Sequence, residues 1–441
     1  MRYARINYKS HRTAAIVLAL CALFSAAWSA GPQTAGMVDF RALYFGARCV
    51  VQHQDPYREA HFLALYKAES GQFPSEHTSL LDFLRVVPVC VNPPTTLFVV
   101  WPFTWLGWSL AHIVWLIFQS ALLALAGFLV WEMSSSYAPR LSLVLIALLL
   151  ANCELLLKLG NASASAVSLG ILALWSFYRG HYEWAGVVAL ALSLALKPQI
   201  SGVIWFFLLV VRPETRKRAL QTLVLLALFV GGSVWWIYPE SPNWMQEWKL
   251  NMARTSERGG LNDPGPESTG NFGVGRIIDL QTVLALYRDV PHFYDPAALG
   301  LCAFLLVIWF YYLRKAAFTD RLHWLALASI VPLSLLPVYH RQYDAKLLLL
   351  TVPACASLWA EKSRFRIPAL VLMLSAFMIC ADIPEAVLVP YTSWKIQIPE
   401  TVSAQSLVAP LLARLIPFAL LGLGCFYLWL LSKESSQKSI V

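Results

Sequence analysis

Apolar runs, several of them long enough to cross a lipid bilayer, fill more than half of this chain. They lie at 13–30, 95–106, 109–131, 141–157, 162–178, 184–196, 199–211, 219–238, 296–313, 322–338, 345–360, 367–383 and 406–431. About 20 apolar residues carry a helix across the hydrocarbon core. Within that core each segment must satisfy its own backbone amides and carbonyls, so such runs fold as helices. Strands of a membrane barrel would alternate over about ten residues, and these runs do not alternate. Only 13% of the 441 residues are charged, against about a quarter in a soluble domain. The chain is expected to be an all-α polytopic membrane protein, a single integral unit over 1–441.

Basic residues set the expected topology, because cytoplasmic loops carry an excess of Lys and Arg. Arg212, Arg216, Lys217 and Arg218 form the strongest cluster, followed by Arg314, Lys315 and Arg321, then Lys362, Arg364 and Arg366. Placing them inside, with Arg140 and Arg179, leaves 31–92, 239–295, 339–344 and 384–405 outside. The tail 432–441 then falls inside. Both termini are cytoplasmic in this arrangement, which needs an even number of crossings. Thirteen runs are one too many. The shortest, 95–106, is bounded by prolines and is expected to be partial or re-entrant, leaving about twelve crossings. The N-terminal segment, with Arg2, Arg5, Lys9 and Arg12 before its apolar run, reads as an uncleaved signal anchor. Trp28 fits poorly in a small-residue cleavage site.

The loop 31–92 has helical periodicity at 39–50 and 57–68, expected as interfacial helices lying along the membrane surface. The net charge of +9 follows the loop pattern and implies no nucleic-acid partner. The eight cysteines show no metal spacing. Cys49 and Cys90 share the first outer loop and read as two unpaired thiols. Asp55, before Pro56, reads as a turn residue.

With this topology, polar and charged residues collect toward the outer face: Asp39, Glu154, Lys158, Asn161, Lys197, Arg254, Arg258, Arg276, His340, Arg341 and Asp344. Ionisable groups at membrane depth are retained where they pair or line a cavity. A transporter more often holds them near the midplane, between inverted repeats. Here they gather toward one edge, as an enzyme working at the membrane surface requires.

Four stretches, in order, carry a resemblance. They are Val38-Asp39-Phe40-Arg41-Ala42-Leu43-Tyr44 through Arg48, with Asp55-Pro56-Tyr57; Asn92-Pro93-Pro94; Gly160-Asn161-Ala162-Ser163 through Gly180, then Ala185-Gly186 to Lys197-Pro198; and Tyr339-His340-Arg341-Gln342-Tyr343-Asp344. Gly270-Asn271-Phe272-Gly273 matches more loosely. Together they resemble glycosyltransferase family 87, a GT-C-fold family of polyprenol-phosphate-mannose-dependent mannosyltransferases. Two departures stand out. Asn161 replaces the family's glutamine, and His340-Arg341 replaces a histidine pair.

The resemblance implies a GT-C-type fold and transfer of a hexose, mannose first, from a polyprenyl-phosphate-linked sugar to a lipid or glycan acceptor. The reaction would take place outside the cell (inner) membrane, without cofactor or bound metal. Asp39 matches the family's catalytic acid and is expected as general base, because an acceptor hydroxyl is a weak nucleophile. The plainer role for Asp39 is capping the helix that begins beside it. The substrate-binding candidates are His340, Arg341, Lys197, Arg276, Arg41, Tyr44, Asn161 and Asp344, with the cations directed at the leaving phosphate. Asp344 is open between a second acid and a partner for Arg341. The plainer role for Lys197 is snorkelling at a Lys-Pro break; for Arg254 and Arg258 it is a solvated helix face. The alternatives are a GT-C transferase using a different polyprenyl-phosphate sugar, or a lipid or polyol transporter.

Overall fold

Prolines mark where many of the helices begin. Proline fits the first helical position, where its missing N–H would have no partner and its fixed φ suits the turn. The computed structural model describes residues 8–29, 37–70, 89–180, 182–211, 213–266, 268, 276–316, 319–382 and 414–437. Pro94, Pro139, Pro198, Pro213 and Pro291 each open a helix. The described residues form helices and no strand, with one isolated bridge between Ile277 and Arg341.

The helices are α1 (Tyr8–Ser29), α2 (Val38–Val51), α3 (Glu59–Ser70), α4 (Pro94–Val100), α5 (Trp108–Ser134), α6 (Pro139–Ala151), α7 (Glu154–Leu159), α8 (Ser163–Arg179), α9 (Glu183–Leu196), α10 (Pro198–Val211), α11 (Pro213–Ile237), α12 (Trp244–Thr255), α13 (Gln281–Tyr287), α14 (Pro291–Lys315), α15 (Asp320–Ser334), α16 (Val352–Ala360), α17 (Arg366–Ile379) and α18 (Leu415–Gln437). Five of the described helices are long and apolar enough to cross a membrane, at Ser10–Ser29, Trp108–Ser134, Pro213–Ile237, Pro291–Lys315 and Leu415–Ser436. The chain is therefore a multi-pass α-helical membrane protein. Shorter apolar helices occupy Pro139–Ala151, Glu183–Leu196, Pro198–Val211 and Arg366–Ile379, each about 20 Å long against a core of about 30 Å. Length therefore supports five crossings directly. The expected total of about twelve needs the shorter helices as well.

The run 95–106 forms the seven-residue α4 and a 3-10 turn at Trp101–Trp105. Together they extend about 20 Å, too short to cross a bilayer alone. The run 141–157 also breaks, at Asn152–Cys153 between α6 and α7. The glycine motif at 270–275 and the segment 384–405 lie outside the described residues.

The chain divides into two compact units. One comprises residues 22–126 and 154–257. In it α8 and α9 form a tight hairpin, closed by Gly180 in the left-handed conformation (φ 70) that ends α8. Helix α2 is more enclosed than an interfacial helix with one wet face, since only four of its fourteen residues escape burial. Asp55 Oδ1 accepts the Tyr57 N–H at 2.9 Å, the turn role expected of it. Arg254 pairs with Glu59 at 3.4 Å on an exposed surface.

The other unit comprises residues 1–21, 127–153 and 258–441. Its core includes Trp324, Leu325, Leu327 and Val331 of α15, with Leu420 and Leu423 of α18. A 3-10 helix at Gln342–Thr351 leads directly into α16. Arg321 joins Glu361 and Glu434, tying together the ends of α15, α16 and α18. None of the eight cysteines forms a disulfide, Cys49 and Cys90 included.

Candidate active site

Asp39 is held by tertiary structure. Met37, with φ 49 and ψ 56, occupies the cap position of α2 and makes no side-chain cap bond. Asp39 lies within the first turn, where the helix dipole favours a carboxylate. It is half-buried, and its Oδ2 accepts a hydrogen bond of 2.6 Å from Asn161 Nδ2.

Asn161 lies in the turn between α7 and α8. That turn requires Gly160, whose φ is +63 and where an added Cβ would sit 2.7 Å from Phe40 Cβ. The close approach brings Asn161 against the start of α2. The turn's carbonyls are fixed from α5. Trp115 Nε1 donates to Gly160 O at 2.9 Å, and Gln119 Nε2 donates to Asn161 O at 3.0 Å. The Trp115 ring also stacks on Phe40, with centroids 4.7 Å apart and planes 8° apart. One indole therefore holds both sides of the Asp39–Asn161 contact.

The Asn161 side-chain oxygen accepts three donors. Ser163 N–H reaches it at 2.9 Å and Ser163 Oγ at 2.5 Å. Lys197 Nζ lies at 3.3 Å from it and at 2.6 Å from Ser163 Oγ. Lys197 follows the last residue of α9, and Pro198 opens α10. The break leaves carbonyls at the end of α9 without helical partners. Thr96 of α4 covers two of them, its hydroxyl lying 3.3 Å from Ala195 O and 3.1 Å from Leu196 O. The helix after Asn92-Pro93-Pro94 thus closes the Lys-Pro break.

Arg41 and Tyr44 lie in an aromatic cluster of the same unit. The Arg41 guanidinium stands 5.1 Å from the Trp108 ring and 5.3 Å from the Tyr66 ring, and donates to Tyr66 OH at 2.5 Å. Tyr44 is fully buried, and its hydroxyl donates to Leu106 O at 2.8 Å.

The remaining candidates cluster in the other unit. The segment 276–280 pairs with 336–342 through Ile278 N to His340 O at 2.9 Å and Gln342 N to Arg276 O at 2.9 Å. His340 has no exposed surface. Its Nδ1 lies 3.2 Å from Asp344 Oδ2, which also accepts the Arg341 N–H at 3.1 Å. Asp344 is thus the partner of the His340 ring and of the Arg341 backbone. Nδ1 donates to the carboxylate, and Nε2 is buried without a partner among the described residues. The Arg341 guanidinium donates to Leu261 O at 2.8 Å, to Asn262 Oδ1 at 3.1 Å and to Tyr339 OH. Arg258 faces Asp289 at 3.7 Å.

Asp279, absent from the sequence-derived candidates, is fully buried beside this segment. Burial pushes its carboxyl up to about 7 and the Asp295 charge adds to the rise, against hydrogen bonds from the backbone at Thr282, His340 and Gln281. Trp115, Gln119, Ser163 and Thr96 were also missed as individual site components. A glutamine inside an apolar run was the available signal for Gln119. Trp115 gave none, because tryptophan in such a run reads equally well as an anchor.

Residues 91–337 match the sequence model of glycosyltransferase family 87. The match includes Asn161, Lys197 and Arg276, and excludes Asp39 and His340. No curated protein and no solved structure matches the chain. The match spans more than half of the sequence and replaces the transporter alternative with an enzyme. Apolar spans, the ordered motifs and this match lead to one assignment: the chain belongs to glycosyltransferase family 87 and is a membrane glycosyltransferase.

Proposed function

We propose that the enzyme transfers a hexose, mannose first, from a polyprenyl-phosphate carrier to an acceptor hydroxyl on the extracytoplasmic face, with inversion. Asp39 takes the proton from the acceptor hydroxyl. The freed oxygen attacks the anomeric carbon, and the bond from that carbon to the phosphate oxygen breaks. The electron pair leaves with the polyprenyl phosphate. No cofactor enters this scheme.

The observation supporting it is the placement of Asp39. Asn161, 122 residues away in sequence, fixes one carboxylate oxygen by a hydrogen bond, so the base is oriented before an acceptor arrives. Arg41 and Tyr44 support α2; in the other unit Asp344 holds the His340 ring and the Arg341 backbone. Asn161 is assigned to Asp39.

The test is an assay of membranes containing the full chain, with radiolabelled polyprenyl-phosphate mannose. Asp39→Asn, expressed at the wild-type level, is expected to lose transfer by about 10²–10⁴-fold. Full activity in that variant removes the base assignment. A wild-type enzyme that ignores this donor but uses another polyprenyl-phosphate sugar replaces mannose and leaves the chemistry in place.

A further inference from the structure

Lys197 is a cation beside a conspicuous break in a membrane helix hairpin, and its sequence context suggests a phosphate ligand. Its ammonium donates to Ser163 Oγ at 2.6 Å and Asn161 Oδ1 at 3.3 Å. An amide oxygen accepting a charged donor polarises its own N–H groups, and hydrogen bonds in a chain strengthen one another. The polarised Asn161 N–H makes the 2.6 Å bond to Asp39. The amide also has one orientation. A flip would turn its NH₂ toward Ser163 N–H and the Lys197 ammonium, setting donors against donors.

We infer that Lys197 is a positioning residue for the Asp39 carboxylate, acting through Asn161, rather than a ligand of the donor phosphate. The inference rests on the reading of Asp39 as the general base. Lys197 fixes the amide that aims the carboxylate, and its charge favours the ionised base. Removing the charge makes Asp39 easier to protonate, so activity is lost at a higher pH as the solution is acidified.

Other charged or titratable groups lie on the surrounding elements, among them Glu59, His61 and Lys67 of α3; Glu59 pairs with Arg254 and His61 Nδ1 accepts the Asp55 N–H. Arg41 is engaged with Tyr66 and Trp108, and Arg48 Nη1 donates to Thr104 O at 3.0 Å. His112 Nδ1 lies 2.9 Å from Trp108 O within its own helix. Glu154 and Lys158 belong to α7. Arg179 and Glu183 occupy the ends of α8 and α9 away from Asn161 and Lys197. Helices α4 and α10 carry no charged side chain.

The experiment measures transfer from radiolabelled polyprenyl-phosphate mannose across pH, using full-length protein in membranes. Lys197→Met is expected to lower kcat about tenfold, leave the donor KM within about twofold, and move the acidic limb of the profile up by about one pH unit. Lys197→Arg is expected to bring the limb back toward wild type. A tenfold rise in donor KM with an unmoved limb makes Lys197 a phosphate ligand and overturns the inference. A Lys197→Met profile identical to wild type overturns it as well. Should Lys197→Met fail to fold, Ser163→Ala carries the same test, with a smaller upward shift expected and an unmoved limb counting against the inference. Full activity in Asp39→Asn sinks the base reading itself and the inference with it, an outcome separate from a failure of Lys197 alone.

Discussion

Gly160 is the residue on which the placement of Asp39 turns. Its φ of +63 is disfavoured for any residue with a Cβ, and that Cβ would meet Phe40 Cβ at 2.7 Å. A β-carbon cannot swing away like a side-chain tip, so α2 itself must move. Gly160→Ala is expected to cost about 1–2 kcal/mol for the backbone alone and to reduce transfer more than tenfold, with protein still in the membrane. Asp279 sets a second expectation. Its carboxyl is raised to about 7 when folded, chiefly by burial, against about 3.9 when unfolded. The neutral form favours folding, and that advantage shrinks as pH rises from about 4 and is gone above about 7. Asp279→Asn should therefore raise the unfolding temperature in detergent at pH 8 and do little at pH 4. An equal gain at both values would remove the titration argument. The order of motifs singled out Asp39, Asn161 and Lys197 as candidates. The direction of Lys197 was not legible, because a four-carbon stem with a point charge reaches toward a phosphate or an amide alike.

At the scale of elements, α4 is the short piece that finishes another helix. Thr96 is buried, and its hydroxyl meets the carbonyls of Ala195 and Leu196. Thr96→Val keeps the shape and leaves those carbonyls without that donor. The expected loss is about 1–3 kcal/mol, read as a lower unfolding temperature, with a several-fold fall in transfer because the same break carries Lys197. An unchanged protein would show that water replaces the hydroxyl. The helix boundary at Pro198 was legible from its Lys-Pro break, whereas α11 begins at Pro213, inside the basic cluster and before the apolar run 219–238. The tight packing of α2 was not legible. Its sequence has the stripe of an interfacial helix, and the partners that cover its other residues come from distant segments. The brevity of α4 was visible in its flanking prolines, but its role in closing α9 depends on one hydroxyl meeting carbonyls about a hundred residues away.

Over the whole molecule, hydropathy made the membrane class legible and left the number of crossings unsettled. Short helices such as α6 and α17 do not declare by length whether they span. A reporter fused within 239–295 is expected to read extracytoplasmic, and a cytoplasmic reading would reverse the proposed side of catalysis. Two charges inside apolar runs were the strongest unused signal. Lys346 and Asp382 are 1% and 2% exposed and lie 3.6 Å apart, and Lys346 also donates to Asn152 O. Lys346→Met removes the ammonium beside the buried carboxylate and is expected to cost about 3–5 kcal/mol. Lys346→Met combined with Asp382→Leu should recover most of it, and thermal unfolding of both variants distinguishes the outcomes. The same pair constrains biogenesis. Lys346 leaves the ribosome ahead of Asp382, so the ammonium is made before the carboxylate that it meets in the folded protein. The pair can close only after Asp382 has been made, which ties the packing of this region to synthesis of the chain through residue 382.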